Sequence, residues 1–158
     1  MVRDYRPDDL ATLKDIGNRA WRGIYRMYRE TYGEELFAIL VPNPDAVKGE
    51  QIESHCAAHP DRVVVCEEDS RVVGFATFSI DAARRIGEIG NNAVDPECGL
   101  KGIGQQMYAE VFRRFRALGM RFARVRTGMD WAHARARRAY ERAGFTIRNE
   151  DVTYHMRL

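Results

Sequence analysis

Long apolar runs are missing from this sequence. No stretch reaches the roughly 18 consecutive apolar residues of a membrane span, and charge begins at Arg3, so no signal core is expected. Cysteine is scarce. Cys56, Cys66 and Cys98 are odd in number and none belongs to a CxxC pair, which argues against a disulfide framework and a zinc site and suits a reducing compartment. Strong charge of one sign is lacking too: 25 Lys+Arg against 23 Asp+Glu leave a net +2, too mild to announce nucleic acid. Repeats, linkers and low-complexity tracts are absent. These absences lead us to expect a cytoplasmic protein with no metal, no membrane partner and no nucleic-acid partner.

The 158 residues are enough for one domain with its own core, at an ordinary 45% hydrophobic and 30% charged. Val2–Arg6 reads as an edge strand. Pro7, Asp8 and Asp9 suit the first turn of a helix, which the spacing of Leu10, Leu13, Gly17, Trp21, Ile24 and Tyr28 continues to Glu30, with a break at Gly33. Shorter helices are expected over 34–41 and 45–59. The runs 62–67 and 71–80 are rich in β-branched residues around a polar turn and predict a hairpin. A strand over 84–94 follows, where the pair Asn91-Asn92 suggests a bulge. Ile103, Met107, Val111, Phe115 and Leu118 trace one helical stripe; a strand over 121–127, a helix over 131–143 and final strands over 145–148 and 152–157 complete the chain. The fold class expected is α+β, one domain over 1–158. Its mixed, mostly antiparallel sheet is flanked by helices, with one parallel strand pair splayed at the bulge.

Gly99, Gly102 and Gly104 place bare backbone where a strand hands over to a helix. N–H groups and the dipole at such a helix start favour an anion, most naturally a phosphate. The spacing G-x-x-G-x-G is not the dinucleotide fingerprint G-x-G-x-x-G. Gln105-Gln106 stand where a P-loop needs Lys followed by Ser or Thr.

The run AVDPECGLKGIGQQMY (93–108), followed by RRAYERAGF (137–145), resembles the GNAT superfamily of acetyl-CoA-dependent N-acetyltransferases. The resemblance implies acetyl-CoA as donor cosubstrate and an amine as acceptor. Gly102 and Gly104 match the two small positions of the family's Arg/Gln-x-x-Gly-x-Gly/Ala motif, while its first position falls on Gly99, so that side-chain contact is lost and Lys101 or a later arginine takes over the charge. The resemblance further implies a backbone cradle over Leu100, Lys101, Gly102, Ile103, Gly104 and Gln105, and a strand end at Asn92, Ala93 and Val94 that pairs with the acetyl-bearing arm. Tyr140 would protonate the departing thiolate and, like His133, lie beside the cofactor. His133 stands where the family carries an asparagine. Glu88 would be the base for the incoming amine, with ordered water as the other route.

Trp21, Tyr25 and Tyr28 and the stripe Arg19, Arg22, Arg26 and Arg29 mark the first helix as an acceptor wall or as an ordinary solvated face. Arg113, Arg114, Arg116, Arg135, Arg137 and Arg138 have no interleaved aromatics, and one or two could meet the 3′-phosphate of coenzyme A. A non-catalytic acyl-CoA sensor is the alternative function, and a homodimer is left open.

Overall fold

The two β-branched runs pair across the turn at Asp69 and Ser70, both of which sit at positive φ (49 and 60°), the combination that matches a tight turn to strand twist. In the computed structural model, which describes residues 1–158, five strands form one sheet. They are β1 (Val2–Asp4), β2 (Val63–Glu68), β3 (Arg71–Asp81), β4 (Ile86–Val94) and β5 (Phe122–Val125), in the order β1-β2-β3-β4-β5. Every pair is antiparallel except β4 and β5, whose connection through a helix brings them parallel.

On one face lie α1 (Leu10–Leu40), entered through a single 3-10 turn at Pro7–Asp9, and α2 (Val47–Ala58). On the other lie α3 (Ile103–Ala117) and α4 (Ala134–Arg142), the latter preceded by a 3-10 turn at Trp131–His133. The break expected at Gly33 is present, at φ 75 and ψ 163°. No helix is long and apolar enough to cross a membrane.

The unbroken run at Val63–Cys66 is explained by burial on both faces. Val63 and Val65 pack with Leu13, Ile16 and Ile52, whereas Val64 and Cys66 meet the α3 stripe of Ile103, Met107, Val111 and Phe115. Each such side chain contributes about 1.5–3 kcal/mol by leaving water.

The bulge falls at the asparagine pair. Ala76 pairs with Asn92 and Phe78 with Ile89, so Thr77 alone faces Gly90 and Asn91. Residues an even number apart share a face of a regular strand, yet Ile89 packs into the α3 core and Ala93 into the α1 core. The extra residue has switched the faces. Glycine is required at 90 because a Cβ there would lie 2.7 Å from the Thr77 hydroxyl, which donates to the Asn91 carbonyl at 3.1 Å. The parallel pairing ends at Ile89 and Val125, so from Gly90 to Val94 one edge of β4 has no neighbour.

The final strands expected over 145–148 and 152–157 are not formed. Ile147, Val152, Tyr154 and Met156 are exposed. Alternation supplies a strand pattern but not a partner. This segment instead makes side-chain contacts with α1, His155 edge-on to Tyr32 at 5.4 Å and Arg157 with Glu35.

Candidate active site

Where β5 parts from β4, a cavity of about 950 Å³ opens between α1 and α2 on one side and the start of α3 and α4 on the other. At its α3 end Gly102 adopts a left-handed φ of 82°, a conformation that costs other residues about 1–2 kcal/mol. Ile103, Gly104 and Gln105 have no carbonyl four residues back within the helix. The ladder begins only with the Gln106 N–H, which donates to the Gly102 carbonyl at 3.1 Å. No side chain caps this end. A Cβ at Gly102 would meet nothing within 4 Å, and one at Gly104 only the Tyr108 ring from 3.9 Å outward. Three N–H groups and a helix dipole therefore face open space, the arrangement that receives a phosphate. The Gln105 amide fastens this turn to α4 by donating to the Ala139 carbonyl at 2.9 Å, and Leu100 and Lys101 stand exposed at its edge.

The free edge of β4, over Asn92, Ala93 and Val94, lines the same cavity. The Asn92 side chain turns toward α3 and α4, where its amide nitrogen donates to the Tyr140 hydroxyl at 3.1 Å and its amide oxygen accepts from the Tyr108 hydroxyl at 2.8 Å. The Tyr140 oxygen is thus an acceptor toward Asn92, and its own proton is available to a third group. Burial raises the Tyr140 pKa, against the opposing pull of the Asn92 and Tyr108 hydrogen bonds. Burial, with Tyr140 alongside, drives the Tyr108 phenol far above its ordinary range. Both phenols are neutral at physiological pH. Tyr108 was not singled out from sequence. Its signal was the spacing of one helical turn from Gly104, which carries its ring to the cradle.

Glu88 is the one carboxylate on the cavity wall. It is engaged by arginines of β5 and the residue run beyond: Arg124 Nε donates to Oε2 at 2.8 Å, and Arg126 Nε lies 3.5 Å from Oε1. Glu88 and Arg124 are direct cross-strand partners, so the alternation of RFARVRT carried this pair once the parallel register was known. His133 lines the cavity, with Nδ1 2.7 Å from an Asp130 carboxylate oxygen and its ring 6.3 Å from that of Tyr28. It joins α4 to α1 across the opening.

On the opposite wall α1 presents Ala20, Trp21, Ile24 and Tyr28. Tyr25 is buried elsewhere, with Phe37 and Val41. The arginine stripe faces away from the cavity: Arg19 pairs with Asp95 at 2.7 Å, Arg26 lies over Trp131 and Arg29 over Phe37. Of the later arginines, Arg113 and Arg114 are held by Glu110, and Arg137 donates to the carbonyls of Gly128 and Asp130. Arg135, with Arg142, lines the cavity. No group of three or more His, Cys, Asp or Glu side chains comes together to hold a metal.

Residues 21–145 match the model of the acetyltransferase (GNAT) family. The fold is shared with PaiA N-acetyltransferase from Thermoplasma acidophilum, solved with coenzyme A, at a TM-score of 0.73 and 19% identity over 96% of this chain and 92% of that one. Ard1 from Thermoplasma volcanium aligns with a TM-score of 0.67 and 21% identity over 94% and 84% of the two chains. A GNAT family acetyltransferase from Brucella melitensis, solved with acetyl-CoA, aligns with a TM-score of 0.62 and 21% identity over 98% and 95%. Comparison with curated proteins finds no match. The extent of the family match, across the sheet, the glycine turn and Tyr140, shows that the chain belongs to the acetyltransferase (GNAT) family and is an acyltransferase.

Proposed function

We propose that this enzyme holds acetyl-CoA and an amine together in the cavity and transfers the acetyl group by direct attack. The residues present fit such a donor. The N–H groups of Ile103, Gly104 and Gln105 suit a pyrophosphate, the free edge of β4 at Asn92–Val94 suits an amide-bearing arm, and Lys101, Arg135 and Arg142 supply positive charge nearby. Solved relatives of this fold carry coenzyme A or acetyl-CoA. When bound, the thioester supplies an activated acyl carbon and a thiolate leaving group.

The chain's own residues then have three tasks. The β4 edge orients the acyl carbonyl. Tyr140, its oxygen engaged by Asn92, donates its proton as the carbon–sulfur bond breaks. The amine must lose a proton as its nitrogen bonds to the acyl carbon, and Glu88 is the only carboxylate on the wall to receive it. Because its oxygens face Arg124 and Arg126, the proton reaches it through water.

The observation that carries this reading is the Asn92–Tyr140 hydrogen bond beside the open β4 edge, which aims a neutral phenol into the cavity that the phosphate cradle borders. It is tested by incubating the enzyme and acetyl-CoA with polyamines, amino acids, aminoglycosides and peptides bearing free N-termini, and measuring thiol release. Release dependent on one class of amine is expected. Tight acetyl-CoA binding with no release across the panel would identify an acyl-CoA sensor instead.

A further inference from the structure

Lys48 is the one lysine buried in this protein, 8% exposed on α2, and the mechanism above gives it no task. Its ammonium donates to the side-chain oxygens of Gln51 at 2.6 Å and Asn91 at 3.1 Å and stands 4.4 Å from the centre of the Trp21 ring. All three neighbours are neutral, and no carboxylate pairs with it. A buried ammonium with neutral neighbours has given up hydration without gaining a counter-charge, and burial pulls its pKa down to about 8. Yet Lys48 lines the cavity, on the α1–α2 wall beside Trp21. Asn91 and Asn92 are consecutive, and the bulge sends one side chain to Lys48 and the next to Tyr140. The unpaired cation and the acid that serves the leaving group thus flank the same short piece of β4.

We propose that Lys48 receives a carboxylate of the acceptor, so that the substrates are small amines bearing a carboxylate. This rests on the acetyl-transfer reading and adds the acceptor class to it. A carboxylate matches the site in charge: one compact ammonium balances one negative charge, and the guanidinium fork that favours phosphate is missing here. With Lys101, Arg135 and Arg142 serving the donor's phosphates and Arg126 facing Glu88, Lys48 is the one Lys or Arg on the walls left to the acceptor. With its carboxylate on Lys48 at the bulge, such a substrate lies beside the open edge of β4 over Asn92–Val94.

The test uses matched amines that differ only in the carboxylate: phenylalanine with phenethylamine, leucine with 3-methylbutylamine, and 4-aminobutyrate with propylamine. Thiol release from acetyl-CoA is measured for wild type and Lys48→Met, which keeps the length and apolar stem. For at least one pair the wild type should prefer the carboxylated member at least tenfold in kcat/KM. In Lys48→Met that preference should fall below threefold through KM, with thermal stability undiminished. A merely structural lysine would leave the preference in place. No preference in the wild type, or one that survives the substitution, overturns the proposal. Should Lys48→Met fail to fold, Lys48→Gln takes its place.

A binding readout separates this proposal from the reading on which it rests. Fluorescence of Trp21, in a Trp131→Phe background with coenzyme A present, is titrated with 4-aminobutyrate and with propylamine. A saturable change with the first alone supports a carboxylate at Lys48 even if no amine releases thiol. Equal responses, or none, overturn it. Failure of acetyl-CoA to bind at all would sink the acetyl-transfer reading.

Discussion

On the α3–α4 side of the cavity, the groups that face a ligand are mostly backbone: three N–H groups at the start of α3 and the open edge of β4, backed by two hydrogen-bonded tyrosines. On the α1–α2 side they are side chains, Trp21, Ile24, Tyr28 and Lys48, drawn from segments that meet only in the folded protein. Backbone recognition depends on a local conformation, which glycine spacing announces. Side-chain recognition depends on tertiary placement and varies without disturbing the fold. The difference teaches why the donor of this enzyme can be read from a short motif, whereas its acceptor has to be inferred from one buried cation.

Gly104→Val gives the largest expected effect on donor binding. The site has room for a larger side chain as far as the protein is concerned, so the fold should persist with a melting temperature within a few degrees. The branched side chain would occupy the space in front of the N–H groups, and acetyl-CoA affinity should fall about a hundredfold (about 2.7 kcal/mol). Unchanged affinity by calorimetry would remove the cradle from the account.

Next comes Glu88→Gln, expected to lower kcat about tenfold, below the 10²–10⁴ of a base in direct contact, because the arginines intervene. Acetyl-CoA affinity should stay within twofold. An unaltered kcat would transfer the proton route to water alone.

The tyrosine pair predicts an alkaline limit to stability. Burial raises the pKa of both phenols above that of an unfolded tyrosine, about 10. A raised folded pKa gives stability that is complete below about pH 10 and lost as pH climbs toward the folded value, because the unfolded chain releases its protons first. Melting temperature should therefore decline above pH 10, less steeply in Tyr108→Phe than in wild type. Parallel curves would mean that Tyr108 titrates like an exposed phenol.

The smallest effect is expected from the arginine stripe. Arg22→Ala with Arg26→Ala should leave the KM of any acceptor within twofold, since neither side chain lines the cavity. A large rise would extend the acceptor wall around α1.

How much of this was legible in the sequence followed the same division. Local periodicity located α3 through Ile103, Met107, Val111 and Phe115, and the β-branched run at 62–67 marked a strand, although its burial on both faces emerged only from the packing. The Asn91-Asn92 pair pointed to a bulge, because a strand covered on both faces has no place for adjacent amides unless something turns them apart. Contacts set by register or by packing between distant elements were not legible. Arg124 meets Glu88 only through the parallel β4–β5 register, and Lys48 reaches Asn91 only because α2 lies across the bulge. The alternation of Val152, Tyr154 and Met156 misled for the opposite reason, since it describes a strand for which the fold provides no ladder.

The central claim is that the α3–α4 wall does chemistry as well as binding, through the proton of Tyr140. It is tested most directly by measuring thiol release and acetyl-CoA affinity side by side for wild type and Tyr140→Phe. The account predicts that kcat falls at least a hundredfold while acetyl-CoA affinity stays within threefold, since the ring and its packing against Tyr108 and Phe145 are retained. Turnover equal to wild type, with binding intact, would contradict it.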